Sequence, residues 1–182
     1  MRGRPRGFDA EAGVAVAARA FAERGYDGVG VAELCAALDI RPPSFYAAYG
    51  SKRGLFDRVV SRYGETTGPV YAEAVAGARD LADLRRRVLS AAATLYGRDG
   101  GAGCLVISSL AATGDADLRG ALQDIVAARR AAMETRAREL GADPAEAARV
   151  VTAIAVAMMG LSAAARAGMD ADRLREAADL LA

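Results

Sequence analysis

"IRPPSFYAAYGSK", residues 40–52, sets two adjacent prolines ahead of a very short apolar and aromatic segment. Proline breaks a helix from within, but the first turn has amides with no intrahelical partner, so proline loses little there. Pro42 also drives Arg41 out of the helical region. The pair therefore starts a helix of about two turns instead of ending one. Phe45 and Tyr49, four residues apart, are placed to dock on preceding helices. Ser44 and Tyr46 then point elsewhere, and Ala47 and Ala48 are small enough to let a surface come close. Ser51 caps the next helix. Lys52 falls in that helix's first turn, where a cation opposes the helix dipole unless an anion such as a phosphate shares the site.

Two helices are expected before this stretch. Asp9 caps the first, with Glu11 in its first turn. Val14, Ala17, Ala18 and Phe21 follow helical spacing, and Gly25 ends it. Val31, Leu34, Cys35 and Leu38 make one apolar face of the second, so Cys35 reads as a small core residue. Asp39 takes the turn, where Asp tolerates a left-handed backbone. With the short segment after it, the second helix makes a helix–turn–helix whose turn spans about four residues.

The chain has 182 residues, 53% of them apolar but only 5% aromatic, with no tryptophan. An alanine-rich interior without Val-Ile-Thr runs favours helix, and the expected class is all-α. Net charge is +1, but residues 1–63 hold ten basic and seven acidic side chains. A basic arm on a small domain suits a polyanion partner; a merely solvated terminus is the alternative. There is no histidine, which removes histidine-based triads and histidine-ligated metal sites. Two distant cysteines, Cys35 and Cys104, fit a reducing cytoplasm rather than a disulfide framework. The longest uncharged run, Val150–Ala165, falls short of the roughly 18–20 residues that span a bilayer. A cytoplasmic protein without a membrane partner is expected.

Beyond residue 63, Gly64, Gly68 and Pro69 interrupt an apolar-periodic segment and suggest a kink or break. Asp80 caps a helix bearing Leu81, Leu84, Val88, Leu89 and Leu95. "GRDGGAG" (97–103) is a loop, "CLVISSLAAT" (104–113) a short apolar helix, and Asp115 opens a long amphipathic one. Asp143 and Pro144 start a helix that is apolar on nearly all sides, and "DADRLREAADLLA" closes the chain.

The ordered landmarks of the first 63 residues resemble the DNA-binding domain of the TetR (tetracycline-repressor-like) family. They are Gly3-Arg4-Pro5-Arg6, the Phe21 to Tyr26 pattern, the helix–turn–helix, Ser44-Phe45-Tyr46, Gly50-Ser51-Lys52 and Leu55-Phe56. "GCLV" after the glycine-rich loop is similar to one subgroup with Pro-Pro at the turn. The resemblance implies a basic arm (1–7), a three-helix DNA-binding domain (8–50), and a larger helical ligand-binding and dimerisation domain (51–182). It also implies a homodimer on a palindromic double-stranded operator and a small-molecule effector; no cofactor and no metal are expected. Arg41, Pro42, Pro43 and Ser44 match positions at bases or adjacent phosphates. Tyr46 and Lys52 match phosphate positions, and Arg2, Arg4 and Arg6 lie in the arm. The sequence departs from the family pattern in four places: Val29-Gly30 replaces the usual Thr-Ser, Asp39 the turn glycine, Ala48 an aromatic phosphate contact, and Tyr49 an aromatic core residue whose hydroxyl needs a partner.

In the larger domain, Tyr63, Tyr71, Tyr96, Cys104, Ser108, Thr152 and Met158 are the candidate ligand-binding residues, polar or polarisable groups in apolar surroundings. Val150, Ile154, Met158, Gly160, Leu161 and Leu174 are the candidate dimer interface, because a helix apolar all round must be buried on more than one side. The functional expectation is a repressor, not an enzyme, released from its operator by an apolar or amphipathic molecule. The alternatives are a redox or copper signal at Cys104, or control by a protein partner.

Overall fold

The computed structural model describes residues 8–182, and the arm residues Arg2, Arg4 and Arg6 lie outside them. The described residues form nine α-helices: α1 (Ala10–Arg24), α2 (Val31–Ala37), α3 (Pro42–Tyr49), α4 (Lys52–Ala76), α5 (Leu81–Tyr96), α6 (Leu105–Ala112), α7 (Ala116–Glu139), α8 (Pro144–Arg166) and α9 (Ala171–Leu181). A single 3-10 turn, Arg98–Gly100, lies in the glycine-rich loop.

Local chemistry explains the helix ends. Side chains of Asp9, Ser51, Asp80, Asp115, Asp143 and Asp170 each accept from first-turn amides of α1, α4, α5, α7, α8 and α9. The departure at Val29-Gly30 is compensated locally. Gly30 offers no side chain to α2, but Glu33 reaches back to accept from the Gly30 amide at 3.0 Å and is itself paired with Arg24. Asp39 takes the left-handed turn position with φ 52°.

The first three helices close on the start of α4 around an aromatic cluster. Phe21 and Tyr26 both meet the Phe56 ring edge-on with centroids 5.0 Å apart. The Tyr49 hydroxyl finds its partner in the Ala10 carbonyl at 2.9 Å. Gly13 makes that approach possible, since a Cβ there would lie 2.1 Å from the Tyr49 oxygen.

The helix α4 corrects one expectation. It runs unbroken for 25 residues with Pro69 inside it. Proline costs the helix the bond to the Glu65 carbonyl, yet neighbours on both sides of the break-point are anchored: Thr67 bonds back to the Tyr63 carbonyl at 2.8 Å and Tyr71 is buried. Packing therefore overrides the local defect. Near its start α4 buries Leu55, Phe56 and Val59 with the small domain. Further on it buries Tyr71 and Ala74 in the larger one, so one rod serves both.

In the larger domain α5 is the central helix, packed by α4, α8 and α9, with α7 against α8. The helix α8 is long and apolar enough to cross a membrane by length and composition. Here it presents Ala147, Val151, Ile154, Met158, Leu161 and Ala165 to the bundle core instead.

Candidate functional site

The helix α3 turns one face outward, as its prolines and its two buried aromatics dictate. Arg41 is its extended N-cap, with φ −84° and ψ 155°, and Pro42 and Pro43 open the first turn. Phe45 and Tyr49 are buried, which forces Arg41, Pro42, Pro43, Ser44, Tyr46 and Ala47 outward, Tyr46 being 51% exposed. The outer surface near the start of α3 thus joins a cation, a hydroxyl and a phenol around small residues, a surface able to approach a nucleic-acid groove.

Lys52 is met by backbone carbonyls where an anion is expected. Its ammonium does not need an anion, because it donates to the carbonyls of Tyr26 at 3.0 Å and Val29 at 3.1 Å and sits 4.1 Å from the Tyr26 ring centroid. Lys52 ties the α1–α2 turn to the start of α4. Of its three N–H donors, one is left over.

The larger domain brings four of the ligand candidates together. The Tyr63 hydroxyl donates to Cys104 Sγ at 3.4 Å, and the Tyr71 hydroxyl donates to that of Tyr96 at 3.2 Å. Burial pushes all three phenols above their ordinary value, and nearby Cys104 adds to this. The three phenols are neutral at pH 7. The stability gained from these neutral phenols is present below about pH 10 and lost as pH rises beyond it.

Beside the cluster lies a cavity of about 680 Å³ between α4, α5, α7 and α8. Val75, Val88, Met133 and Met158 supply apolar wall, while Tyr71 and Arg129 bring polar groups. A second cleft, of about 900 Å³, runs between α1 and the glycine-rich loop, past Tyr63 and Arg166.

Two ligand candidates are placed elsewhere. Ser108 is buried and spends its hydroxyl on the Cys104 carbonyl at 2.7 Å, inside α6. Thr152 is exposed and accepts from Arg130 at 2.9 Å, on the outer side of α8. The dimer candidates also divide. Ile154, Leu161 and Leu174 are 0–2% exposed within the protomer, and Met158 lines the cavity, so these four are not free to meet a partner. Val150 is half-buried and Gly160 lies on the open side. The apolar residues that do face outward are Val156 at 63%, Met159 at 46%, Leu180 at 83% and Leu181 at 50% exposure. Hydrophobic spacing could not separate the two faces, because α8 is apolar on both.

Three residues carry contacts between helices that spacing alone does not disclose. Ser162 accepts from the Cys104 amide at 2.9 Å and so caps α6 from a distance. One turn on, Arg166 donates to the Ala22 carbonyl at 3.1 Å and the Glu23 carbonyl at 3.4 Å, at the end of α1. Met158, Ser162 and Arg166 are four residues apart and share one face of α8. Arg129 is the third; it gave no signal beyond its place in an amphipathic helix.

A family model described as bacterial regulatory proteins, tetR family, matches residues 14–59. Over 173 residues the chain is 36% identical to the HTH-type transcriptional repressor BdcR of Escherichia coli (strain K12), spanning 94% of this chain and 86% of that protein. The chain belongs to the TetR family. A second relative, the HTH-type transcriptional repressor ComR of the same strain, is 39% identical over 62 residues, 34% of this chain and 30% of that protein. Among solved structures, the TetR family transcriptional regulator CifR, as a cysteine mutant complexed with a 26-bp double-strand operator DNA, superposes with a TM-score of 0.80 at 30% identity, covering 98% of this chain and 97% of that one. TetR membership makes this chain a DNA-binding transcriptional regulator, not an enzyme. The family match at residues 14–59 includes α2, α3 and the start of α4.

Proposed function

We propose that the chain is a homodimeric repressor whose operator binding is relieved when an amphipathic small molecule fills the α4–α5–α7–α8 cavity. The observation that carries this reading is the line of contacts along α8. Met158 touches the cavity, Ser162 holds the start of α6, and Arg166 holds the end of α1, all on one face. A shift of α8 that accommodates a ligand is therefore felt by the helix bearing the reading domain. Dimeric helix–turn–helix proteins need their reading helices about 34 Å apart or a multiple of it, so a small splay lowers affinity.

In this reading Arg41 and Ser44 lie nearer the bases and Tyr46 nearer a phosphate, with Pro42 and Pro43 fixing the direction of approach. Lys52 holds the turn and offers its remaining donor to the backbone. The partner protomer covers Val156, Met159 and Gly160 of α8 and Leu180 and Leu181 of α9, whose exposed apolar surface otherwise faces water.

The test is a cavity-filling variant. Ala132 lines the cavity, and Ala132→Phe occupies it. Wild-type protein, bound to a duplex selected from a random pool, should be released by some members of a small-molecule library, and Ala132→Phe by none of them. Compounds that release both proteins alike would place the effector elsewhere.

A further inference from the structure

The cavity between α4, α5, α7 and α8 is walled mostly by apolar residues with a few polar groups. Two arginines reach it, and their surroundings differ. Arg136 pairs with Glu139 at 3.0 Å and also donates to the Ala78 carbonyl at 2.6 Å, so a carboxylate already faces its charge, although its Nε has no partner. Thr135 and Glu139 lie at that same end. Arg129 is half-buried, and among the described residues no carboxylate pairs with it. Its polar partner is the Thr67 hydroxyl at 3.4 Å, and its guanidinium stands 5.4 Å from the Tyr71 ring centroid. Thr67 donates its own proton to the Tyr63 carbonyl, and its oxygen accepts from one Arg129 N–H. Several of the guanidinium's five donors thus remain without a protein acceptor.

We propose that Arg129 is the anion-binding residue of the cavity and that the effector is an organic monocarboxylate. The aliphatic or aromatic body lies along Val75, Val88, Met133 and Met158, and the carboxylate takes the guanidinium fork. A single uncompensated cation matches a single negative charge, while the Arg136–Glu139 pair leaves the other end neutral. The Tyr71 ring, 5.4 Å from the Arg129 guanidinium, offers a cation–π contact on one side of it. This inference rests on the cavity being the effector site.

The experiment is calorimetric titration of the full chain with decanoate and with decan-1-ol, probes of equal length that differ in charge. Decanoate should bind about tenfold or more tighter than the alcohol, the size expected of a hydrogen-bonded charge pair. Arg129→Gln should bring the two probes level by weakening decanoate alone, and Arg129→Lys should retain part of the preference. A wild-type protein that binds the alcohol as well as the carboxylate overturns the proposal without any variant. So does a preference that survives Arg129→Gln, or a failure of both probes to bind. Operator release is measured in parallel. Decanoate that binds through Arg129 but does not release DNA upholds the anion site and overturns the effector reading of the cavity.

Discussion

Arg166, in the last turn of α8, donates to the carbonyls of Ala22 and Glu23 in the last turn of α1. Those carbonyls carry the negative end of the α1 dipole, so a guanidinium suits them. The contact joins residues 144 positions apart at Ala22 and spans the cleft beside the reading domain. It gives the larger domain a direct hold on the DNA-binding one.

Arg166→Ala should uncouple the two. Effector affinity should change little, since the side chain lies outside the α4–α5–α7–α8 cavity. The loss of operator affinity that a bound effector produces should shrink, by up to about the 1–3 kcal/mol that an allosteric coupling usually holds. Anisotropy titrations of both proteins, with and without effector, measure this. A variant that still responds in full would exclude the Arg166 route.

Gly13 and Tyr49 should behave as a coupled pair. Gly13→Ala puts a methyl group 2.1 Å from the Tyr49 oxygen, an overpacking expected to cost about 1–3 kcal/mol. Tyr49→Phe removes that oxygen and leaves the Ala10 carbonyl without its donor. The double variant should therefore be more stable than the sum of the single losses implies. Urea unfolding of the four proteins decides it, and additivity would contradict the contact.

Met159→Glu, on the outward face of α8, should yield monomers by sedimentation and abolish tight operator binding while leaving the helical content unchanged. Two buried carboxylates facing each other across a two-fold axis have no partner. An unchanged dimer would move the interface away from this face.

Arg41 and Lys52 should separate specificity from affinity. Arg41→Ala should cost roughly 1–3 kcal/mol on the selected operator if it reads a guanine, and less on scrambled DNA. Lys52→Ala should weaken both alike and lower the salt slope by about 1. It should also lower thermal stability, because two carbonyls lose their donor. An unaltered salt slope with a lowered melting temperature would make Lys52 a positioning residue only.

The parts of this fold written in local pattern were legible. Asp9, Ser51 and Asp80 cap where their side-chain chemistry demands, and Asp39 sits left-handed at the turn. Pro42 and Pro43 start α3, leaving Phe45 and Tyr49 to turn inward. What the sequence hid depends on distance through space. The target of the Lys52 ammonium is the Tyr26–Val29 turn, which no spacing rule connects to residue 52. Pro69 reads as a break until the burial of Tyr71 is known. The two apolar faces of α8 look alike in sequence, so Ile154 and Leu161 could not be told from Val156 and Met159. The Arg136–Glu139 pair is an i, i+3 spacing open to sequence, but that both Arg129 and Arg136 line one cavity with Tyr71 and Met158 is not.

The most direct measurement of whether α3 reads an operator is selection from a randomised duplex pool, followed by sequencing of the bound DNA. Enrichment of an inverted repeat whose half-sites are one helical turn apart or a multiple, about 10–10.5 base pairs per turn, is expected, with a changed preference for Arg41→Ala. Enrichment of no sequence by a folded, dimeric protein would contradict it.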